Sequence, residues 1–243
     1  MEIRIVVLNM RHGEVTDGII DVEKQAETVK KYEPNIIMLQ EMDLFTERVN
    51  QIDELNIFKK ITNLKYSSFG SNITFKDGWY GNAILSEFPI KSSENYMSSI
   101  CSKETKGVLH SRIGIGNKEI DIYNTHFPVI PEERIKFAEE ITYLMKRVKN
   151  TENVVLAGDF NLGLIPLSGK HNYKIESQEE YFEMEELKKY FNEIEFNELT
   201  YEVGNPIGSI DKVMYKGNLK LVSIEKLDEE ISDHYPILVK FEI

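Results

Sequence analysis

The stretch VVLAGDFN, residues 154–161, decides how we interpret this chain. A short apolar run that ends at a turn residue is typical of a strand buried on both faces. Gly158 can adopt backbone conformations that a Cβ resists, so the strand would present Asp159 and Asn161 at its carboxyl end. Ligands of open α/β sheets gather at such ends. An ordinary β-turn is the alternative interpretation of the same residues.

The composition limits the classes of protein to which the chain can belong. It has 243 residues, a formal net charge of −12 and a single cysteine, which excludes an intrachain disulfide. The negative charge disfavours a tight, sequence-independent binder of nucleic acid, although a bound metal would supply positive charge that this count omits. Strand-like sequence begins at Ile3 and no apolar run could span a bilayer. We therefore expect a cytoplasmic protein without a signal peptide or transmembrane segment, and a monomer.

Apolar spacing predicts many strands with a few helices between them. Strands are predicted at residues 3–8, 35–39, 79–86, 108–115, 119–123, 154–157, 209–215, 219–224 and 237–241, and helices at residues 21–32, 46–58, 131–149 and 178–191. Residues 62–78 are expected to be loop and irregular strand, and residues 162–177 a long connection. The β-α-β order at the start brings the ends of the first two strands together. We expect one domain over residues 1–243, built from two packed sheets covered by helices.

Polar side chains flank one predicted strand after another. They are Asn9, Glu41, Asn124, His126, Asp159, Asn161, Asp211, Asp233 and His234. Such groups are costly at the ends of buried strands unless they bind something. Carboxylates that converge in a cleft repel one another, and a hard divalent cation relieves the repulsion. Oxygen ligands without a cysteine cluster indicate Mg²⁺ or Mn²⁺ rather than zinc. With an aspartate and a histidine for proton transfer, the set predicts hydrolysis of a phosphate ester.

Short motifs around these residues occur in a characteristic order. They are LN at 8–9, LQE at 39–41, YGNAILS at 80–86, NTH at 124–126, GDFN at 158–161, ID at 210–211 and SDHYP at 232–236. This order resembles the endonuclease/exonuclease/phosphatase superfamily over nearly the whole chain. The resemblance implies the α/β (α+β) fold of deoxyribonuclease I, a four-layer sandwich in which two mixed β-sheets pack face to face with helices on the outside. Residues 9–13 and 40–43 are most similar to a small bacterial branch of metal-dependent hydrolases.

The resemblance also implies a role for each acidic and amide residue. Glu41 would bind the metal ion, with Asn9 close beside it and Asp233 in the same region. Asp159 would orient or deprotonate the attacking water. Asn161 would hold a phosphate oxygen. Neither role follows from the spacing of these residues in the chain.

Two histidines would complete the implied site. His234 would contact the scissile phosphate, with Asp211 fixing its ring, and His126 would touch the phosphate or the leaving group. From the residues alone, either histidine could be structural, and Asp211 could be a solvated strand residue. His12 would either bind substrate or simply belong to a loop. Asn82 would either help to position the phosphate or close a turn.

These observations predict a divalent-metal-dependent phosphoesterase that cleaves a phosphodiester or phosphomonoester by attack of water at phosphorus. An endo- or exonuclease acting on DNA or RNA is the alternative, which the net charge does not favour. A non-catalytic binding module is a further alternative, and the completeness of the implied catalytic set argues against it. Arg11 and the stretch SIDK at 209–212 depart from the abasic-site endonuclease pattern. The loops at 62–79 and 162–177 would set the specificity.

Overall fold

The computed structural model describes residues 1–16, 18–75, 78–101, 104–167, 173–176 and 181–243. The α-helices of this part are α1 (Val22–Lys30), α2 (Glu54–Thr62), α3 (Pro131–Arg147) and α4 (Phe182–Lys188). The strands are β1 (Glu2–Asn9), β2 (Glu14–Thr16), β3 (Ile19–Ile20), β4 (Ile36–Leu44), β5 (Tyr66–Phe75), β6 (Gly78–Ser86), β7 (Ile90–Met97), β8 (Gly107–Ile115), β9 (Lys118–His126), β10 (Asn153–Asp159), β11 (Leu164–Pro166), β12 (Tyr173–Ile175), β13 (Asn192–Glu193), β14 (Asp211–Lys216), β15 (Lys220–Lys226) and β16 (Ile237–Glu242).

The long strands form two mixed sheets. The first has the order β15-β16-β1-β4-β6-β5 and the second the order β13-β14-β10-β9-β8-β7. In the first sheet β1 and β4 are parallel, with Asn9 opposite Gln40. In the second sheet β9 and β10 are parallel, with His126 opposite Asp159. The other neighbouring strands of both sheets run antiparallel.

The two sheets pack face to face and carry helices on their outer faces. The core between the sheets joins Ile5 of β1 and Met38 of β4 to Ile122 of β9. On the outer face of the first sheet, α1 and α2 pack against β1, β4 and β6. On the outer face of the second, α3 and α4 pack against β9 and β10. The layers run helix, sheet, sheet, helix, which confirms the expected sandwich.

Strand β10 shows why an unbroken apolar run forms a central strand. Successive side chains of a strand point to opposite faces. Val155 and Ala157 therefore enter the core between the sheets, while Val154 and Leu156 pack against the outer helices. Each of these side chains is buried, and full burial of one such chain contributes about 1.5–3 kcal/mol. The prediction of a strand buried on both faces is confirmed.

Two helices connect the parallel strands, and both begin where the sequence indicates. Asp21 caps α1, because its Oδ1 accepts a hydrogen bond from the backbone N of Lys24 at 2.9 Å. Pro131 is the first residue of α3, where a missing N–H costs nothing. Helix α1 leads from β1 to β4, and α3 leads from β9 to β10. Within the described residues, no helix is long and apolar enough to cross a membrane.

Two predictions in the first sheet were wrong. Residues 46–58 do not form one helix, because Asn50 and Gln51 have left-handed φ values of 55° and 58°. A short 3-10 turn, Glu47–Val49, precedes this break, and α2 begins only at Glu54. Residues 62–78 contain β5, an edge strand paired with β6 over most of its length. Small polar residues in β5 interrupt the apolar alternation that a strand usually shows. The edge strand β7 is also rich in polar residues and for the same reason was not predicted.

The connection after β10 is more regular than expected. Its described part contains β11 and β12, which pair antiparallel. Residues 168–172 and 177 of the predicted connection lie outside the described residues. The predicted helix at 178–191 is the shorter α4, Phe182–Lys188, and residues 178–180 also lie outside the described part.

Candidate active site

Asp159 ends β10 and lies at the centre of the polar cluster between the sheets. The preceding Gly158 has a φ of 146°, and a Cβ there would lie 1.8 Å from the carbonyl oxygen of Thr125. Glycine alone lets β10 approach β9 this closely. The carboxylate of Asp159 is buried. Its Oδ1 accepts from the backbone N of Asn161 at 2.8 Å and its Oδ2 from Nδ2 of Asn9 at 3.0 Å.

Asn9 and Glu41 reach the same centre from the first sheet. The Nδ2 of Asn9 also donates to Oε1 of Glu41 at 3.0 Å. Glu41 lies where the pairing of β4 with β6 shifts between Leu39 and Met42, and its φ is 59°. A bulge of this kind re-aims a side chain, and a positive φ outside glycine is uncommon. The amide of Asn9 therefore links one carboxylate from each sheet.

His234 lies in the loop before β16 and forms a buried pair with Asp211. Its Nδ1 is 2.9 Å from Oδ2 of Asp211, which also accepts from Oγ1 of Thr200 at 2.6 Å. Its Nε2 lies 3.7 Å from Oδ2 of Asp159, and the ring of Tyr201 packs against it with centroids 4.9 Å apart. Burial alone would lower the pKa of His234, but the charges of Asp211 and Asp159 outweigh it and raise the pKa to about 10. The ring is therefore a cation at neutral pH.

His126 ends β9 and approaches Asp159 as well. Its Nε2 lies 3.5 Å from Oδ2 of Asp159 and 3.9 Å from Oε1 of Glu41. The Nζ of Lys106 is 3.4 Å and 3.3 Å from its two ring nitrogens. Burial and the positive charges of Lys106 and His234 hold the pKa of His126 well below its usual value. Asp159 thus contacts one neutral and one protonated imidazole.

The electrostatics of the carboxyl groups favour a cation at this site. Burial raises the pKa of Asp159 to about 7, although the positive charge of His234 opposes the shift. Burial and the negative charge of Asp233 raise the pKa of Glu41. A bound cation would lower both pKa values, because it stabilises the charged form of each group.

Two groups of described side chains have donor atoms close enough to share a metal ion. Glu41, His126 and Asp159 offer atoms within 4.8 Å of one another, as do Asp159, Asp211 and His234. The first group fits a divalent cation, since it combines two carboxylates with a neutral imidazole. The second fits poorly, because a protonated histidine has no lone pair to donate. The oxygen ligands of the first group are those that Mg²⁺ and Mn²⁺ prefer.

Asn161 and Asn82 were both predicted to contact or position substrate. Asn161 lines the cavity described below, and its Nδ2 donates to the carbonyl oxygen of Phe127 at 2.8 Å. Asn82 is buried and its Nδ2 donates to the carbonyl oxygen of Gly107 at 3.2 Å. Asn82 is not among the side chains that line the cavity. It instead holds the backbone next to Lys106.

Asp233 and His12 lie on one flank of the same cavity. Oδ2 of Asp233 is 3.5 Å from Nε of Arg11, whose Nη1 is 3.2 Å from Oε1 of Glu14. Burial and the positive charge of Arg48 lower the pKa of His12 to about 4. His12 is therefore neutral at physiological pH and offers a donor or an acceptor rather than a charge.

A cavity of about 510 Å³ opens onto this cluster. Tyr80 of the YGNAILS motif lines it, and so do basic and aromatic side chains that the sequence did not single out, namely Arg48, Phe75, Lys106, Tyr173 and Tyr201. Apart from Tyr80, these residues belong to no motif. One signal could have found Lys106: β8 runs antiparallel to β9, so the residue before β8 lies at the same edge as the residue that ends β9. The others are brought together only by the folded chain.

Residues 8–234 match the model of the "Endonuclease/Exonuclease/phosphatase family". This chain belongs to that family. Family members are hydrolases that act on phosphoester bonds, and they typically use a divalent metal ion. The chain is also similar to the "Uncharacterized protein YbhP" of Escherichia coli (strain K12), with 27% identity over 143 residues, which are 56% of this chain and 56% of YbhP. The match thus spans little more than half of this family relative.

Solved structures of the family share the fold along the whole chain. The mannosyl-6-phosphatase Bt3783 of Bacteroides thetaiotaomicron superposes with a TM-score of 0.73 at 16% identity, covering 99% of this chain and 100% of its own. TDP2 of D. rerio, complexed with single strand DNA product, has a TM-score of 0.73 at 16% identity, covering 100% of this chain and 99% of its own. These two names differ in substrate, so the shared fold does not identify one.

Proposed function

We propose that this protein is a divalent-metal-dependent phosphoesterase in which water attacks phosphorus. The observation that best supports this is the position of Asp159, which is buried and lies 3.5 Å from neutral His126 and 3.7 Å from protonated His234. A general base and a fixed positive charge are the parts that hydrolysis of a phosphate ester requires. The proposal includes a single domain over residues 1–243, which the shared core of the two sheets supports.

In this proposal Asp159 orients the attacking water and accepts its proton. Burial raises the pKa of Asp159 to about 7 without a metal ion, and a bound cation would lower it, so that the carboxylate is ionised and can accept a proton at neutral pH. The hydrogen bonds from Asn9 and the backbone of Asn161 hold the carboxylate in a fixed direction. Such preorganisation avoids reorientation during the reaction.

His234 would donate from Nε2 to a phosphate oxygen that gains charge in the transition state. Its Nδ1 is held by Asp211, so the outer nitrogen is the one left for substrate. Removal of one such donor costs about 10²–10³-fold in rate in comparable sites. Asn161 and His126 would contact the phosphate or the leaving group.

Glu41 would hold the metal ion beside Asp159 and His126, whose donor atoms lie close to it, and Asn9 would keep the two carboxylates together. When bound, Mg²⁺ or Mn²⁺ would supply a Lewis acid that neutralises charge on the phosphate. Asp233 would contribute negative charge from the flank, since it already acts on the pKa of Glu41.

A nuclease is the second candidate within the same chemistry. It is supported by the likeness to TDP2 complexed with a DNA product and opposed by the net charge of −12. Binding to nucleic acid depends mainly on neutralising phosphates with basic side chains. We therefore place small phosphoesters ahead of DNA and RNA.

A substrate screen tests the proposal. The purified protein is assayed with Mg²⁺ or Mn²⁺ against a phosphomonoester, a phosphodiester, lipid phosphoesters, a single strand and a plasmid. We expect turnover of at least one substrate, loss of it in excess EDTA, and recovery when metal is restored. Full activity after exhaustive chelation, or no turnover of any class, would contradict the proposal.

A further inference from the structure

Lys106 is a buried basic residue beside the proposed catalytic groups. It is 4% exposed and lines the cavity together with Glu41, Asp159 and His234. Its Nζ contacts both ring nitrogens of His126. Burial of a cation is costly unless negative charge and hydrogen-bond acceptors lie beside it. The burial of Lys106 therefore requires an explanation.

The protein itself matches this charge incompletely. The ion-pair partner is Glu104, at 3.0 Å, whose side chain is 41% exposed, and solvent weakens such a pair. The imidazole of His126 can accept a hydrogen bond but carries no negative charge. A lysine has three donors, and these two partners engage two of them. Among the partners that the described residues provide, a third donor is therefore left for a ligand in the cavity, and the charge of Lys106 acts on Glu41 inside that cavity.

The arginines of the cavity are in a different situation. Arg48 donates Nε and Nη2 to the fully buried carboxylate of Asp43 at 2.5 Å and 2.7 Å. Arg11 lies between Glu14 and Asp233. Carboxylates therefore hold both arginines. Lys106 has one partly exposed carboxylate partner, Glu104, and also contacts His126, which lies 3.5 Å from Asp159, so its charge lies next to the proposed reaction centre.

The charge of a phosphate ester suggests which substrate group Lys106 binds. Near neutral pH a phosphomonoester carries about −1.5 to −2 charges, because its second pKa is about 6, whereas a phosphodiester carries one. The charge of a monoester is shared by three terminal oxygens, whereas a diester has only two, so a monoester offers one more anionic oxygen. We propose that Lys106 binds this additional anionic oxygen and that the substrates of the site are phosphomonoesters. This inference rests on the proposed function and narrows its substrate class.

The kinetic test compares two substrates with the same leaving group, 4-nitrophenyl phosphate and methyl 4-nitrophenyl phosphate. The wild type should prefer the monoester. Lys106→Met should lower kcat/KM for the monoester by about 10²–10³-fold, the loss expected for one catalytic donor, and should lower that for the diester much less. Lys106→Arg, which keeps the charge, should restore most of the preference. Equal losses for both substrates, or no loss, would overturn the assignment.

Lys91→Met is the matched control. Lys91 is also a lysine paired with one glutamate, since its Nζ lies 2.6 Å from Oε1 of Glu119, but it does not line this cavity. Its substitution should leave both rates unchanged. Thermal unfolding of the Lys106 variants shows whether they fold, and Lys106→Arg keeps the test informative if Lys106→Met does not.

A binding measurement separates this inference from the proposed function. Calorimetry with Mg²⁺ compares inorganic phosphate with dimethyl phosphate, a diester anion that lacks the additional charge. Lys106→Met should weaken binding of phosphate by about 10–100-fold, as expected for a hydrogen bond between charged groups, and leave dimethyl phosphate unaffected. If this occurs without turnover of any substrate, the proposed function fails and the role of Lys106 stands. If turnover occurs but phosphate binding is independent of Lys106, the role of Lys106 fails alone.

Discussion

The pairs His110–Asp121 and His234–Asp211 resemble each other closely. All of these side chains are buried. Nε2 of His110 lies 2.7 Å from Oδ1 of Asp121, and Nδ1 of His234 lies 2.9 Å from Oδ2 of Asp211. Burial and distance alone do not distinguish a structural pair from a functional one.

Neighbouring donors within the protein compensate the negative charge of Asp121. Asp121 also accepts from Nε of Arg112 at 2.9 Å and from the backbone N of Thr151 at 2.5 Å. The His110 ring stacks on Tyr123 with centroids 4.4 Å apart. Burial alone would raise the pKa of Asp121, but the hydrogen bonds from His110 and Arg112 outweigh it and lower the pKa to about 2. This pair links β8 to β9, and neither residue lines the cavity at Asp159.

The pair His234–Asp211 instead directs its outer nitrogen at a third charged group. Nε2 of His234 lies 3.7 Å from Asp159 and lines the cavity. In the proposed function, the difference between the two pairs is that the second ring nitrogen of His234 faces a cavity that holds another proposed catalytic group.

The largest expected effect comes from replacing Asp159, the carboxylate that Nε2 of His234 approaches. Asp159→Asn should lower the rate by about 10²–10⁴-fold, because it removes the general base, and added metal should rescue little of the loss. Glu41→Gln should weaken metal binding, so that high Mg²⁺ restores part of its rate. Metal titrations of both variants measure this contrast. Equal rescue of the two variants would show that their roles are assigned wrongly.

A double variant tests whether His234 and Asp211 act as a unit. His234→Ala and Asp211→Asn should each reduce turnover by about 10²-fold or more, as for loss of a charge-stabilising donor. Because groups that act together show non-additive losses, the double variant should be little slower than His234→Ala. Rates that fall by the product of both losses would mean that Asp211 acts independently of His234.

The pH dependence of the rate should distinguish Asp211 from Asp121 by a smaller effect. The rate should rise with pH as Asp159 loses its proton. This rise should occur below pH 7, because the pKa of Asp159 is about 7 without a metal ion and a bound cation lowers it. It should fall at high pH as His234 loses its proton, near a pKa of about 10. Asp211→Asn removes a charge that raises the pKa of His234, so the falling limb should move toward neutral pH. Asp121→Asn should leave that limb in place, and a shift in this control would contradict the distinction between the pairs.

The central strands and the polar residues at their ends could be predicted from the sequence for a physical reason, whereas the roles proposed for these residues came from the family resemblance. Strands buried on both faces must be continuously apolar, as in residues 154–157, and charged groups survive at their ends only where they bind something. The edge strand β5 could not be predicted, because an edge strand with a polar face lacks this signal. The break at Asn50 depends on a left-handed backbone conformation that many sequences tolerate.

The remainder of the candidate site depends on contacts between distant segments. Lys106, Arg48 and Tyr201 line one cavity, yet each follows a different element and none belongs to a motif. The pairing of His234 with Asp211 was likewise inferred from the family resemblance, since their spacing in the chain does not bring them together. Contacts of this kind are set by how the two sheets and their loops pack.

The distinction between the two pairs is tested most directly by measuring phosphoester hydrolysis and thermal unfolding for His234→Ala and His110→Ala side by side. His234→Ala should lose about 10²-fold or more in rate when folded, and its unfolding temperature should also fall, because the buried carboxylate of Asp211 loses a hydrogen-bond partner. His110→Ala should lose about 1–3 kcal/mol of stability, because the buried carboxylate of Asp121 loses a hydrogen-bond partner, yet keep a rate close to that of the wild type when folded. The opposite pattern, in which folded His110→Ala is inactive and folded His234→Ala keeps the rate of the wild type, would contradict the assignment of the site.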